Sequence, residues 1–230
     1  MSLKYIYIKY SKRLLLVSLI IISTISNTKA QVYNWHRIDS SSSIGSVYVG
    51  LNFGLIYGLH YGKIIKSKKA TYIPFIDISL PTGNKVIDDY KVKLGTSVQF
   101  LNRNNWVLSS DVSFFNQKIQ QSFVKMQSIG LESGLQFGFF KEKWFLNVKI
   151  SNAYSLATHL KHSEAYRENY TTAVNGWYQN SANNISLGIN TGYSFKNIDI
   201  TLSPGIIKTN GFKSSPLLPF FATTNLNYRF

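Results

Sequence analysis

Between residues 46 and 62 the chain alternates. Val47, Val49, Leu51, Phe53, Leu55, Tyr57, Leu59 and Tyr61 take the odd positions, and Ser46, Tyr48, Gly50, Asn52, Gly54, Ile56, Gly58 and His60 the even ones. A period of two is that of a β-strand, whose successive side chains point to opposite faces. This much glycine disfavours a helix. The pattern returns at 71–80, 90–101, 106–117, 127–140, 144–156, 184–196, 198–208 and 217–230. In "YKVKLGTSVQF", for example, Tyr90, Val92, Leu94, Val98 and Phe100 oppose Lys91, Lys93, Gly95, Ser97 and Gln99.

The polar face decides what kind of sheet this is. In "SIGLESGLQFGFF" it carries Ser128, Gly130, Glu132, Gly134, Gln136 and Gly138, and in "ISLGINTGYSF" it carries Ser186, Gly188, Asn190, Gly192 and Ser194. A soluble sandwich turns Lys, Glu and Thr outward, whereas small polar residues suit the confined interior of a barrel with its bulky face toward lipid. Segments of about ten residues also match the length a tilted strand needs to cross hydrocarbon. The expected fold is all-β: a transmembrane antiparallel up-and-down β-barrel.

Short connections at 102–105, 141–143 and 196–197 contrast with a long one at 157–183, as in barrels with short periplasmic turns and long extracellular loops. Phe100, Trp106, Phe139, Trp144 and Phe195 flank the short turns and predict an aromatic girdle at that interface. The chain ends "LNYRF", with Leu226, Tyr228 and Phe230 on one face. Here the sequence resembles bacterial outer-membrane β-barrels as a class. That resemblance implies a terminal strand read by the barrel assembly machinery. Counting back from Phe230 sets 46–62 running downward as one strand, so "QVYNWHRI" (31–38) is expected to precede it through "DSSSS". This gives ten strands; eight or twelve also fit. Pro74 and Pro204 interrupt the ladder, since proline lacks the N–H.

Composition agrees with this picture. Hydrophobic residues make up 44% of the 230 and charged residues only 15%, with a mean hydropathy of -0.06. Helical spans need roughly 20 consecutive apolar residues, and no such run follows residue 30. Cysteine is absent, which removes disulfides and thiolate chemistry. Lys4, Lys9, Lys12 and Arg13, then "LLLVSLIII" (14–22) and "TKA" ending at Ala30, have the three-part layout of a cleaved signal peptide. Domains are therefore expected as 1–30, signal peptide, and 31–230, one barrel domain. Its removal takes Lys29 as well, so the net charge falls from +15 by five to +10. Export and strand pattern argue against nucleic acid, because no basic helix or basic-aromatic motif is present. "KIIKSKK" (63–69) suits anionic lipid headgroups instead.

The polar face supplies candidate lumen-lining residues: Lys91, Lys93, Gln99, Asp111, Glu132, Gln136, Lys149, Asn190 and Arg229. The lysines are suited to an anionic solute, with Asp111 and Glu132 neutralising them in part. The long loop offers Tyr166, Tyr170, Trp177 and Tyr178 for extracellular contacts or for packing over the mouth. His159, His162, Ser163 and Glu164 have the side chains of a nucleophile, base and acid, or of a metal site. Neighbours on one loop lack the rigid support such chemistry needs, so no catalytic, metal or cofactor site is assigned. "SNA" (151–153) resembles part of a lipid A deacylase motif, but Lys149 and Ile150 stand where its histidine should be. "DISLPTGN" (77–84) and "PFFATTNLNYRF" (219–230) resemble segments of the outer-membrane family of phenol-degradation MetA-type transporters, which implies passage of a small, hydrophobic solute. The expected function is a narrow, non-enzymatic channel or transporter in the outer membrane. The alternative is a structural or adhesive barrel acting through its loops. A lipid-modifying enzyme comes third, and the oligomeric state stays open.

Overall fold

The computed structural model describes residues 33–52, 54–68, 70–82, 88–209 and 218–230. Its framework is ten antiparallel strands: β1 (Ser43–Leu51), β2 (Leu55–Lys63, continued past Ile64 by Ile65–Lys66), β3 (Thr71–Pro81), β4 (Tyr90–Arg103), β5 (Trp106–Gln120), β6 (Val124–Phe140), β7 (Trp144–His162), β8 (Gly176–Phe195), β9 (Ile198–Thr209) and β10 (Phe220–Arg229). Each strand pairs with its sequence neighbours, and β1 pairs with β10 from Ile44↔Arg229 to Leu51↔Ala222. The sheet is a closed barrel. Closure leaves no sheet edge unpaired, which is what hydrocarbon demands of a backbone. The last residue is held at the seam, where Ser42 and Ser43 both donate their N–H groups to the Phe230 carbonyl at 2.8 Å.

Ten strands are present, but two of them differ from the expectation. Residues 46–62 are a hairpin, not one strand: the chain reverses at 52–54, and Leu51 pairs with Leu55. The described residues 33–38 form none of the strand expected at 31–38. Residues 33 and 34 are irregular and Trp35–Ser40 is a 3-10 turn, capped by the Asn34 side chain, which accepts from the His36 N–H at 3.1 Å. β1 therefore starts at the same end of the barrel as Phe230. The signal peptide expected at 1–30 lies outside the described residues.

The three short turns expected from the sequence, observed at 104–105, 141–143 and 196–197, sit at the Phe230 end, here named the turn end, while the equally short 121–123 lies at the other. Asn104, Asn105 and Lys196 take positive φ at the turn end, the left-handed geometry that tight hairpins require. At the opposite, loop end, β7 and β8 continue well into the long connection predicted for 157–183. The actual loop is 163–175 and holds α1 (Glu164–Asn169), which buries no residue.

Alternation along the strands divides outside from inside. Leu59, Leu94, Val148 and Ile189, each at least half exposed, belong to a continuous outward apolar belt, while Ser109, Ser113, Asn147, Asn190, Thr223 and Asn225 are buried within. Soluble monomers rarely expose contiguous apolar patches beyond a few hundred Å². This belt encircles the molecule. At its turn-end rim Trp106 stacks on Phe137 at 5.1 Å and meets Phe139 edge-on at 5.3 Å, and Phe139 contacts Trp144 at 5.8 Å.

Candidate functional site: a lumen closed at one end

The predicted lumen residues Lys91, Lys93, Gln99, Asp111, Glu132, Gln136, Lys149, Asn190 and Arg229 all lie on the inward face. They do not form a free cationic lining. Glu132 on β6 receives Lys91 at 2.7 Å and Lys93 at 3.1 Å, both from β4, while Lys93 lies 4.0 Å from Asp77 on β3. Lys149 on β7 pairs with Asp111 on β5 at 2.6 Å. The Tyr48 hydroxyl of β1 passes over Gly58 of β2 and donates to Asp77 on β3 at 3.1 Å. Three lysines and three carboxylates thus balance within one belt. Such pairs repay their desolvation only when well satisfied, so the belt fixes the interior more than it strengthens it.

Glycine makes the room for this belt. A Cβ on Gly58 would overlap the Tyr48 ring, and one on Gly134 would come within 2.7 Å of the Lys149 side chain and 2.8 Å of the Asp111 carboxylate.

Toward the turn end the lumen is filled by the N-terminal segment. Tyr33, Trp35 and Ile38 are buried against Ile44, Ile64, Ile73, Val107, Phe140 and Phe145, where Phe140 and Phe145 stack at 5.2 Å. Asn34 is fully buried and holds the segment in place. Its side-chain amide donates to the Lys141 carbonyl at 2.7 Å and to Ser194 Oγ at 2.8 Å, and its backbone N–H reaches Asp199 at 3.3 Å. Asp199 in turn pairs with Arg229 at 3.1 Å, and Arg229 donates to the Lys196 carbonyl at 2.8 Å. Burial raises the Tyr33 phenol above its usual range, which keeps it neutral inside the plug.

Above the belt the lumen opens to the loop end as a cavity of about 640 Å³. Its lining mixes apolar side chains, Phe115, Ile119, Met126, Leu160 and Ile207, with hydroxyls from Ser128, Ser151, Ser155, Thr158, Ser181 and Ser186, and the belt's Lys91 and Glu132 border it. Several hydroxyls satisfy one another, as in Ser128 with Thr158 at 2.7 Å and Ser151 with Ser186 at 2.6 Å.

An apolar belt, a charged and polar interior, closed strand pairing and an aromatic rim define the class. The chain is an outer-membrane-type β-barrel. It is similar in structure to the β-domain of the Bordetella autotransporter Brka, at 8% identity and a TM-score of 0.41 over 84% of this chain and 99% of that one. It is also similar to a chain solved in work on the in-meso crystallisation of membrane proteins, at 10% identity and a TM-score of 0.37 over 81% of this chain and 83% of that one. No protein-family model matches the sequence, and no curated protein matches it.

The loop residues are placed less uniformly. Tyr166 is half-buried, stacked on His162 at 5.4 Å and close to Tyr170 at 4.7 Å. Tyr170 and Trp177 are exposed, and Trp177 leans on His159 at 5.2 Å. Tyr178 lines the cavity, and its hydroxyl donates to the Val174 carbonyl. Ser163 caps α1, its Oγ accepting from the Tyr166 N–H, and the His162 ring meets Asn175 at 3.1 Å, so each is engaged locally. Leu226, Tyr228 and Phe230 face outward at the end of β10. Sequence reasoning missed Asn34, Tyr48, Asp77 and Asp199. Alternation was the available signal for Asp77 and Asp199, which fall on the inward phase of their strands.

Proposed function

We propose that this barrel sits in the outer membrane with its loop end outside, takes a small, partly apolar solute into the loop-end cavity, and uses the N-terminal segment as a gate on the periplasmic side. The observation that carries the reading is the cavity of about 640 Å³ above a closed turn end, with a mixed apolar and hydroxyl lining. Pockets of roughly 300–1,000 Å³ with a few directed polar groups are the usual size for small ligands. Barrels of about eight strands are filled by side chains, and water-filled porins need about sixteen. A ten-stranded wall therefore favours binding and gated passage over free diffusion. No catalytic or cofactor role enters this reading.

An environment-sensitive apolar dye tests the cavity directly. Saturable binding to the refolded chain is expected, and Ser151→Trp, which fills the cavity, removes it while the barrel remains heat-modifiable on gels. Dye binding that survives Ser151→Trp would overturn the reading. A second reading, contact through the loops, is favoured by the exposed Tyr170, Val174 and Trp177 at the projecting β7–β8 end and by Phe123 in the adjacent β5–β6 turn. Exposed aromatic clusters of this kind suit protein or sugar partners.

A further inference from the structure

The β8–β9 ladder lacks two successive pairs. Leu202 pairs with Thr191 and Gly205 with Gly188, yet Ser203 and Pro204 have no ladder partner in β8, although both remain paired to β10. Pro204 has no N–H to give. On the outer surface this seam underlies a hollow of about 590 Å³ lined by Leu187, Ile189, Pro204, Ile206 and Phe220. On the inner surface the Phe221 ring lies against bare backbone, and a Cβ on Gly205 or Gly188 would overlap it. Ser203 Oγ and Asn190 Oδ1, both buried on the lumen side of the seam, make no hydrogen bond. Ser186 and Ile207, which flank the seam toward the loop end, line the loop-end cavity. One strand-thick wall therefore separates an apolar hollow in the lipid face from the cavity, and its ladder is incomplete at that spot.

We propose that this seam is a lateral portal through which the hydrocarbon chain of a small amphiphile passes between the loop-end cavity and the bilayer core, with Phe221 as its shutter. Parting two strands inside a membrane normally exposes N–H and C=O groups to hydrocarbon, at several kcal/mol for each. Pro204 already leaves the ladder one donor short here, which lowers that cost. Gly188 and Gly205 put no side chain behind the wall, so the Phe221 ring is the main obstacle. Below the cavity the ion-paired belt and the plug close the downward route to an apolar chain. That leaves the open loop end and the wall, and only the wall leads directly to hydrocarbon. The portal extends the solute reading given above, but it does not depend on movement of the plug.

The test reconstitutes the refolded chain in phosphatidylcholine vesicles containing a fatty acid with a diazirine near its methyl end, irradiates it, and maps the adducts by mass spectrometry. Adducts on lumen-facing Phe221 and Ile207, alongside those on outward Leu187 and Ile206, are the expected result. The chain has no cysteine, so Thr191→Cys with Leu202→Cys, a paired position beside the seam that leaves Pro204 in place, provides a disulfide that sews the two strands together. Oxidation of that variant is expected to bring the lumen-facing adducts down to the unirradiated background and leave the outward ones unchanged, with reduction restoring them. Adducts confined to outward residues would overturn the portal, and so would lumen adducts indifferent to oxidation, which mean entry through the loop end. If the double variant does not fold, Phe221→Ala takes its place: a several-fold rise in Ile207 adducts supports the shutter, and an unchanged yield overturns it. Seam adducts in a protein that fails the dye test would sink the cavity reading and leave the portal standing.

Discussion

Glu132 is the residue on which the lumen belt turns. It is the only carboxylate within 4.0 Å of Lys91 among the described residues, and it shares Lys93 with Asp77. Replacing it by Gln keeps the shape and leaves two buried ammonium groups short of charge. Removing one partner of a buried pair costs about 3–5 kcal/mol. Glu132→Gln is therefore expected to lower the urea midpoint of the reconstituted barrel clearly, and an unchanged midpoint would mean that the lysines find other partners. At this scale the sequence was informative about direction and silent about distance. Alternation told inward from outward, because a strand allows only two phases. It did not say that Tyr48 passes over Gly58 to Asp77 or that Glu132 reaches two strands away to Lys91, since contacts between non-adjacent strands depend on strand order and tilt.

Among the elements, the β1–β2 hairpin shows why one strand and two look alike in a pattern. Gly50 pairs with Ile56 and Gly58 with Tyr48, so partner numbers always sum to an even value and the odd-outward phase passes through the turn unbroken. Asn52 and Gly54 were the turn signal within an otherwise continuous run. The segment 33–40 misled for a different reason. Tyr33 and Trp35 have strand-like composition, but they are held by burial inside the barrel and by Asn34, which are tertiary contacts that no local pattern contains. The β7–β8 extension makes a prediction at this scale. The loop 163–175 includes α1, which buries nothing, and the wall beneath it is paired from Phe145↔Gly192 upward. Replacing 163–175 by a short Gly-containing turn should leave heat-modifiable folding and the urea midpoint unchanged. Loss of the folded band would show that the loop helps to hold the barrel together.

As a whole, the molecule is a cup with a stopper. Lipid faces a belt of Leu, Val, Ile and aromatic residues, a neutral ion-paired layer crosses the middle, a cavity opens at the loop end, and Tyr33, Trp35 and Ile38 fill the other end. Barrel and orientation of faces follow from periodicity, because closure and a lipid solvent leave few alternatives to that pattern; the expected count of ten takes one hairpin as a strand and the plug as another. The plug does not follow from periodicity, and on the function proposed above it is what closes the lumen to conduction. Single-channel recording in planar bilayers, comparing the refolded chain 31–230 with a chain starting at Ser42, tests this most directly, with heat-modifiable mobility as the control for folding. The account predicts that the intact barrel is silent and that the barrel without its plug shows discrete conductance steps. Steps from the intact chain, or silence from a folded barrel lacking the plug, would contradict it.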